Sequence, residues 1–195
     1  MNQLLGLGEV PEDGSDLPRG CAPYLPSSVE VLLRTVERAN ISARDVFVDV
    51  GSGLGRATTL VHLLTGAASV GLEIQAGLVE ESRRLAGRLQ LERVSTLHGD
   101  ASKLIGRMTL ASVFFFYCPF GGQRLAQAMQ AIEPLAHARP LRLCFIDMPA
   151  PKLPWLSEDV RSRDDIANVS ICRSTLHSEL AARAALVNSR TLSAL

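Results

Sequence analysis

The 195-residue sequence predicts an α/β protein: a single doubly wound, mostly parallel sheet with helices on both faces. Two observations predict it. Short apolar runs alternate with longer amphipathic stretches from Ser27 to Asp147, the order that parallel strands with crossover helices require. The first run, Val46 to Val50, ends in three glycines spaced two apart and then enters a helical pattern. In open α/β sheets that junction lies at the carboxyl ends of the strands, where ligands bind.

Residues 1–26 read as an N-terminal arm and residues 27–195 as one domain. Ser27-Ser28-Val29-Glu30 has capping-box spacing and opens a helix to about Asn40, with Val29, Leu32, Leu33 and Val36 on one face. Val46–Val50 follows as a buried strand. A helix then runs from Arg56 to Leu64, stopped by Gly66. Ser69–Glu73 is the second strand, Gln75–Leu91 a long helix and Val94–His98 the third strand. A short helix near Lys103–Met108 precedes the very apolar strand Ala111–Tyr117. Gly122–His137 is helical and Leu141–Asp147 is the fifth strand. Beyond Asp147 the prolines at 149, 151 and 154 interrupt regular structure. Asn168–Thr175 reads as a sixth strand and Ser178–Val187 as a helix, leaving open a reduced C-terminal strand pair.

Composition narrows the function classes. Twenty basic residues balance twenty acidic ones, and the lysines are only Lys103 and Lys152. Arg84 and Arg88 share a helix face with Glu80 and Glu81 one turn before them, a solvated surface rather than a phosphate track. The expectation is therefore no nucleic-acid partner and no membrane, and a partner that is a small molecule or a protein. No apolar run reaches the roughly 18 residues of a membrane span. Glu9, Glu12, Asp13 and Asp16, without a basic segment, do not read as a signal peptide. Cys21, Cys118, Cys144 and Cys172 form no metal-binding or disulfide pattern, so they are expected as reduced thiols in the cytoplasm, with no metal site.

The glycine loop carries the chemistry. Gly51, Gly53 and Gly55 permit positive φ and let a ligand touch bare backbone, while the helix behind offers unpaired N–H groups to an anionic group. A dinucleotide loop, G-x-G-x-x-G, would need a third glycine where Arg56 stands. A nicotinamide-dependent oxidoreductase is accordingly the lesser alternative. Glu73, about twenty residues on at the end of the second strand, is placed to accept from ribose hydroxyls. Asp100 ends the third strand, and Asp147 ends the fifth.

The pattern D-x-G-x-G-x-G over Asp49–Gly55, with Glu73 and Asp100, resembles the class I (Rossmann-like, seven-strand) S-adenosylmethionine-dependent methyltransferases over about Tyr24–Asp147. Val46–Gly55 with Gly71-Leu72-Glu73-Ile74 looks most like the seven-strand histone-lysine methyltransferases. The resemblance implies S-adenosylmethionine as cofactor, held by Asp49, Gly51, Ser52, Gly53, Leu54, Gly55, Glu73, Ile74, Asp100, Ala101, Tyr117 and Tyr24. It implies that Asp100 accepts from the adenine amino group and that Tyr24 belongs to a lid. The acceptor would sit near Tyr117-Cys118-Pro119-Phe120, with Tyr117 and Asp147 as the catalytic candidates. Amine methyltransferases often carry Asn or Asp, two prolines and an aromatic there. Pro119 and Phe120 match; Tyr117 and Cys118 depart. That departure keeps a second alternative open, a methyltransferase-like binding protein without catalysis. Trp155 is expected either to wall the acceptor pocket or to cover the sheet edge.

Overall fold

The structure, a computed structural model, describes residue 17 and residues 20–163 and 167–175. In chain order the elements are α1 (Val29–Arg38), β1 (Val46–Val50), α2 (Arg56–Thr65), β2 (Ala68–Glu73), α3 (Ala76–Arg88), β3 (Val94–His98), α4 (Ala101–Leu104, continued by a 3₁₀ turn), β4 (Val113–Tyr117), α5 (Gly122–Ala138), β5 (Arg142–Ile146), β6 (Leu156–Arg163) and β7 (Asn168–Ser174). The seven strands form one sheet in the order β3-β2-β1-β4-β5-β7-β6. β1 to β5 are parallel, and β7 runs antiparallel to both β5 and β6.

Side chains alternate across the pleat, so each central strand feeds two cores. Val48, Val50, Phe114, Phe116, Leu143 and Phe145 face α4 and α5. Phe47, Val113, Phe115, Cys144 and Ile146 face α1 and α2. Phe116 stacks on Phe145 with centroids 5.1 Å apart, and Phe47 lies tilted against Phe115 at 5.7 Å. Such ring pairs add about 0.5–1.5 kcal/mol each beyond area burial.

The first helix is capped one residue later than the capping-box spacing suggests: Val31 N–H donates to Ser28 Oγ at 3.2 Å, making Ser28 the N-cap. The strand expected sixth is β7, and β6 precedes it. β6 eluded the apolar reading because it is an edge strand: Glu158, Asp159 and Arg161 supply the charge that protects an open edge and erase the alternation. Between β5 and β6 there is no helix; residues 148–155 form an extended, proline-rich strap packed on the α5 side of the sheet. Because β6 is parallel to β5, the strap must return the chain to the opposite end of the sheet. Trp155 therefore lies there, 3% exposed in the core, with its carbonyl accepting from Thr175 N–H at 2.9 Å. That end lies away from the carboxyl ends of the parallel strands. The helix expected over 178–187 and most of the arm lie outside the described residues.

Candidate cofactor site

β1 stops at Val50 and the chain turns through Gly51 (φ +81), Gly53 (φ +52) and Gly55 (φ +72) into α2. These angles strain any residue bearing a Cβ. Space adds a second demand. A Cβ on Gly51 would lie 2.8 Å from Pro119 Cβ, one on Gly53 2.1 Å from Tyr24 Cε2, and one on Gly55 2.1 Å from Ser82 Oγ. Gly71 in β2 is constrained likewise: its Cβ would meet Ser52 Oγ at 2.3 Å. The sequence motif showed Gly71 without its reason, which is the close seat of the glycine loop on β2.

The loop N–H groups are spent inside the protein. Gly51 and Ser52 donate to the Leu72 carbonyl at 2.9 and 3.1 Å, and Gly55 to the Ser52 carbonyl at 2.9 Å. Gly53 N–H donates to Glu73 Oε2 at 2.8 Å, while Gln75 N–H donates to Glu73 Oε1 at 2.8 Å. At these four residues the bare backbone thus keeps no N–H group free for a ligand. Their N–H groups close the loop onto β2, and Glu73 is the clasp. Both Glu73 oxygens keep a further lone pair, because a carboxylate accepts at about four positions.

A cavity of about 310 Å³ opens at the carboxyl ends of β1–β4. Of the residues chosen from the sequence, Tyr24, Gly51, Glu73, Ile74, Asp100, Ala101 and Tyr117 line it. Asp49, Ser52, Gly53, Leu54 and Gly55 do not; they are buried beneath the lining, with the Tyr24 ring over Gly53. Asp49 is 4% exposed, and burial followed by the Glu73 charge pushes its carboxyl up to about 8. It is a largely uncharged group under the loop, outside the cavity lining. Ser52 Oγ is buried without a hydrogen-bond partner.

Asp100 caps α4. Its Oδ1 accepts from Ser102 N–H at 3.0 Å and Ser102 Oγ at 2.7 Å, and its Oδ2 pairs with Arg124 Nη1 at 2.8 Å. Burial opposes the charge, but these donors outweigh it and hold the carboxyl below the usual carboxylate range. Arg124 escaped the sequence reading because it sits on α5 and carries no local signal. The arm residues Cys21 to Leu25 also line the cavity. Cys21 makes a β-bridge with Phe120, and Ala22 N–H donates to the Pro119 carbonyl at 3.1 Å, so the arm is laid across the loop after β4.

Tyr117 is half-buried, and burial, then the nearby Asp147 and Cys118, raise its hydroxyl above the ordinary tyrosine range. Cys118 (φ +48) directs its thiol at the carbonyls of Ile146 and Asp147, at 3.4 and 3.3 Å, and burial raises its pKa too. Asp147 is exposed and outside the cavity lining; its Oδ1 accepts from Asn168 N–H at 2.8 Å and secures the β5–β7 junction. That bond gives Asp147 a strand-closing role, while its charge is felt at Tyr117 and Cys118. Among the described residues, no group of three His, Cys, Asp or Glu could hold a metal ion, and no helix is long and apolar enough to cross a membrane.

The fold is that of the class I S-adenosylmethionine-dependent methyltransferases, to which the chain is similar. An RNA methyltransferase from Salinibacter ruber in complex with S-adenosyl-L-homocysteine is 23% identical, with 75% of this chain and 92% of that chain covered and a TM-score of 0.60. The candidate methyltransferase yhhF of Escherichia coli is 16% identical, with 78% and 90% covered and a TM-score of 0.62. A mutant of MtNAS in complex with S-adenosylmethionine is 14% identical, with 75% of this chain and 61% of that one covered and a TM-score of 0.59. The family model described as "Histone methylation protein DOT1" matches residues 24–99, less than half of the chain. No curated protein matches the chain. The expected exclusion of nucleic acid gains nothing from these neighbours, one of which is an RNA methyltransferase.

Proposed function

We propose that this protein is an S-adenosylmethionine-dependent methyltransferase acting on a small-molecule or protein acceptor. The observation that carries the reading is the cavity itself. It joins bare Gly51, the carboxylates of Glu73 and Asp100, and apolar Leu72, Ile74, Ala101 and Phe120 at the carboxyl ends of four adjacent strands. The residues present fit the cofactor. Glu73 faces the cavity with spare lone pairs for ribose hydroxyls, Asp100 offers an acceptor at the adenine end, and the apolar floor suits a planar base. Tyr24 covers the methionine end from the arm.

Bound S-adenosylmethionine would supply an electrophilic sulfonium methyl. The chain's own work is to bind, orient and exclude water. Tyr117 keeps its hydroxyl proton, since its pKa is raised, so it orients an acceptor by hydrogen bonding and does not abstract a proton. Cys118 is protonated and turned to carbonyls. This arrangement favours an acceptor that arrives already nucleophilic. The departure at Tyr117-Cys118 also supports a binding protein without turnover as the second reading.

Calorimetric titration with S-adenosylmethionine, S-adenosylhomocysteine and NAD tests the reading. Micromolar binding of S-adenosylhomocysteine, with a raised melting temperature, is expected. Binding of NAD alone would refute it. Cofactor binding without methyl release over a panel of amines, thiols and peptides would favour the second reading.

A further inference from the structure

Asp100 has about four acceptor positions on its carboxylate. Ser102 N–H and Ser102 Oγ fill those of Oδ1, and Arg124 Nη1 fills one of Oδ2. Three donors from two elements thus fix the plane of the carboxylate and leave one lone pair on a residue that lines the cavity. One lone pair suits one N–H donor. It repels a carbonyl oxygen brought to the same point.

Arg124 does more than fill a position. Its guanidinium and Asp100 are about one-fifth exposed (21% and 17%), so the pair is screened less than a surface pair. Arg124 and Asp100 also border a second cavity of about 640 Å³, lined among others by Gly20, Lys103 and Gln127, so the ion pair stands between that space and the cofactor cavity. The arm rests on the same side chain: a Cβ on Gly20 would lie 3.7 Å from Arg124 Cδ, and the Gly20 carbonyl accepts from Gly121 N–H at 3.3 Å.

We infer that Arg124 is a positioning residue for purine recognition: it aims the last free lone pair of Asp100 at an exocyclic amine and seats the arm over the same end of the cavity. The inference rests on the cofactor reading proposed above. Purines bearing a 6-amino group are selected over 6-keto purines through Arg124, though Arg124 need not touch the base.

The test compares S-adenosylhomocysteine with S-inosylhomocysteine, which carries a keto oxygen in place of the amine, on the parent, Arg124→Lys and Arg124→Met. The parent should prefer the adenine compound at least tenfold. Arg124→Met should lose at least tenfold in affinity for it, and the preference should collapse towards unity. Arg124→Lys should retain much of the preference, which a merely structural loss would not. Asp100→Asn added to Arg124→Met should change the preference no further. Unchanged or tighter adenine binding by a folded Arg124→Met protein, with the preference intact, overturns the inference and leaves the cofactor reading standing. If the parent binds neither compound, both fall.

Discussion

Glu73 is asked to do two things at once, and replacing it with glutamine separates them. The parent carboxylate accepts Gly53 N–H and Gln75 N–H, both at 2.8 Å. An amide retains one carbonyl oxygen, so its NH₂ must face one of those donors. One buried or half-buried N–H then loses its acceptor, at a cost of about 1–3 kcal/mol. For a domain of this length that corresponds to a fall of about 2–12 °C in melting temperature. Loss of the charged acceptor towards ribose should weaken S-adenosylhomocysteine by about 1.5–3 kcal/mol, or about ten- to 150-fold. Differential scanning calorimetry reads the first effect and titration calorimetry the second. A Glu73→Gln protein that melts with the parent and binds equally well would refute both roles. Weaker binding with an unchanged melting temperature would remove the clasp and keep the contact. Glu73→Ala should melt lower still, since it strands both donors.

Gly53→Ala should cost about 1–2 kcal/mol for the left-handed backbone and expel the Tyr24 ring, weakening S-adenosylhomocysteine about tenfold. The same substitution made on Tyr24→Ala should cost no further affinity, and a full additional loss there would show that the ring contact is irrelevant. Asp49 titrates near 8 in the folded protein against 3.8 as a free side chain, so the folded state holds the extra proton between those values. Its contribution to stability is therefore largest below about pH 4 and is lost as pH rises towards 8, with a slope of at most about 1.4 kcal/mol per pH unit. Urea unfolding of Asp49→Asn should lack this slope relative to the parent, and parallel pH profiles for the two proteins would contradict the assignment.

The strands that bear the cavity were legible in the sequence and the contacts made between distant elements were not, for identifiable reasons. β1, β2, β4 and β5 are central strands buried on both faces, so they read as apolar runs. The strand-end acids and the glycine spacing were local and therefore visible. What Glu73 does to the loop was not, because it joins residues 20 apart that meet only through the parallel pairing of β1 and β2. Arg124 and Asp100, 24 residues apart on different elements, posed the same difficulty. The bond from Asn168 N–H to Asp147 was equally hidden, because it joins strand ends 21 residues apart. β6 was missed because a charged edge strand has only one neighbour to satisfy.

The position of β7 has a consequence for how the chain assembles. Among the described residues β7 is the last strand made but stands between β5 and β6, and β6 has no other neighbour. While only residues up to Ile146 have been synthesised, all the strands bearing the cavity exist, yet β5 still offers a bare row of N–H and C=O groups. β6 cannot cover that row; it must wait for Asn168–Ser174, pair with it as a hairpin, and dock with it. Folding of this edge is thus governed by a late, non-local closure, the kind that slows as sequence separation grows. An interrupted chain would expose β5 as a template for a strand from another molecule, which makes the C-terminal hairpin as much a guard against misassembly as a part of the sheet.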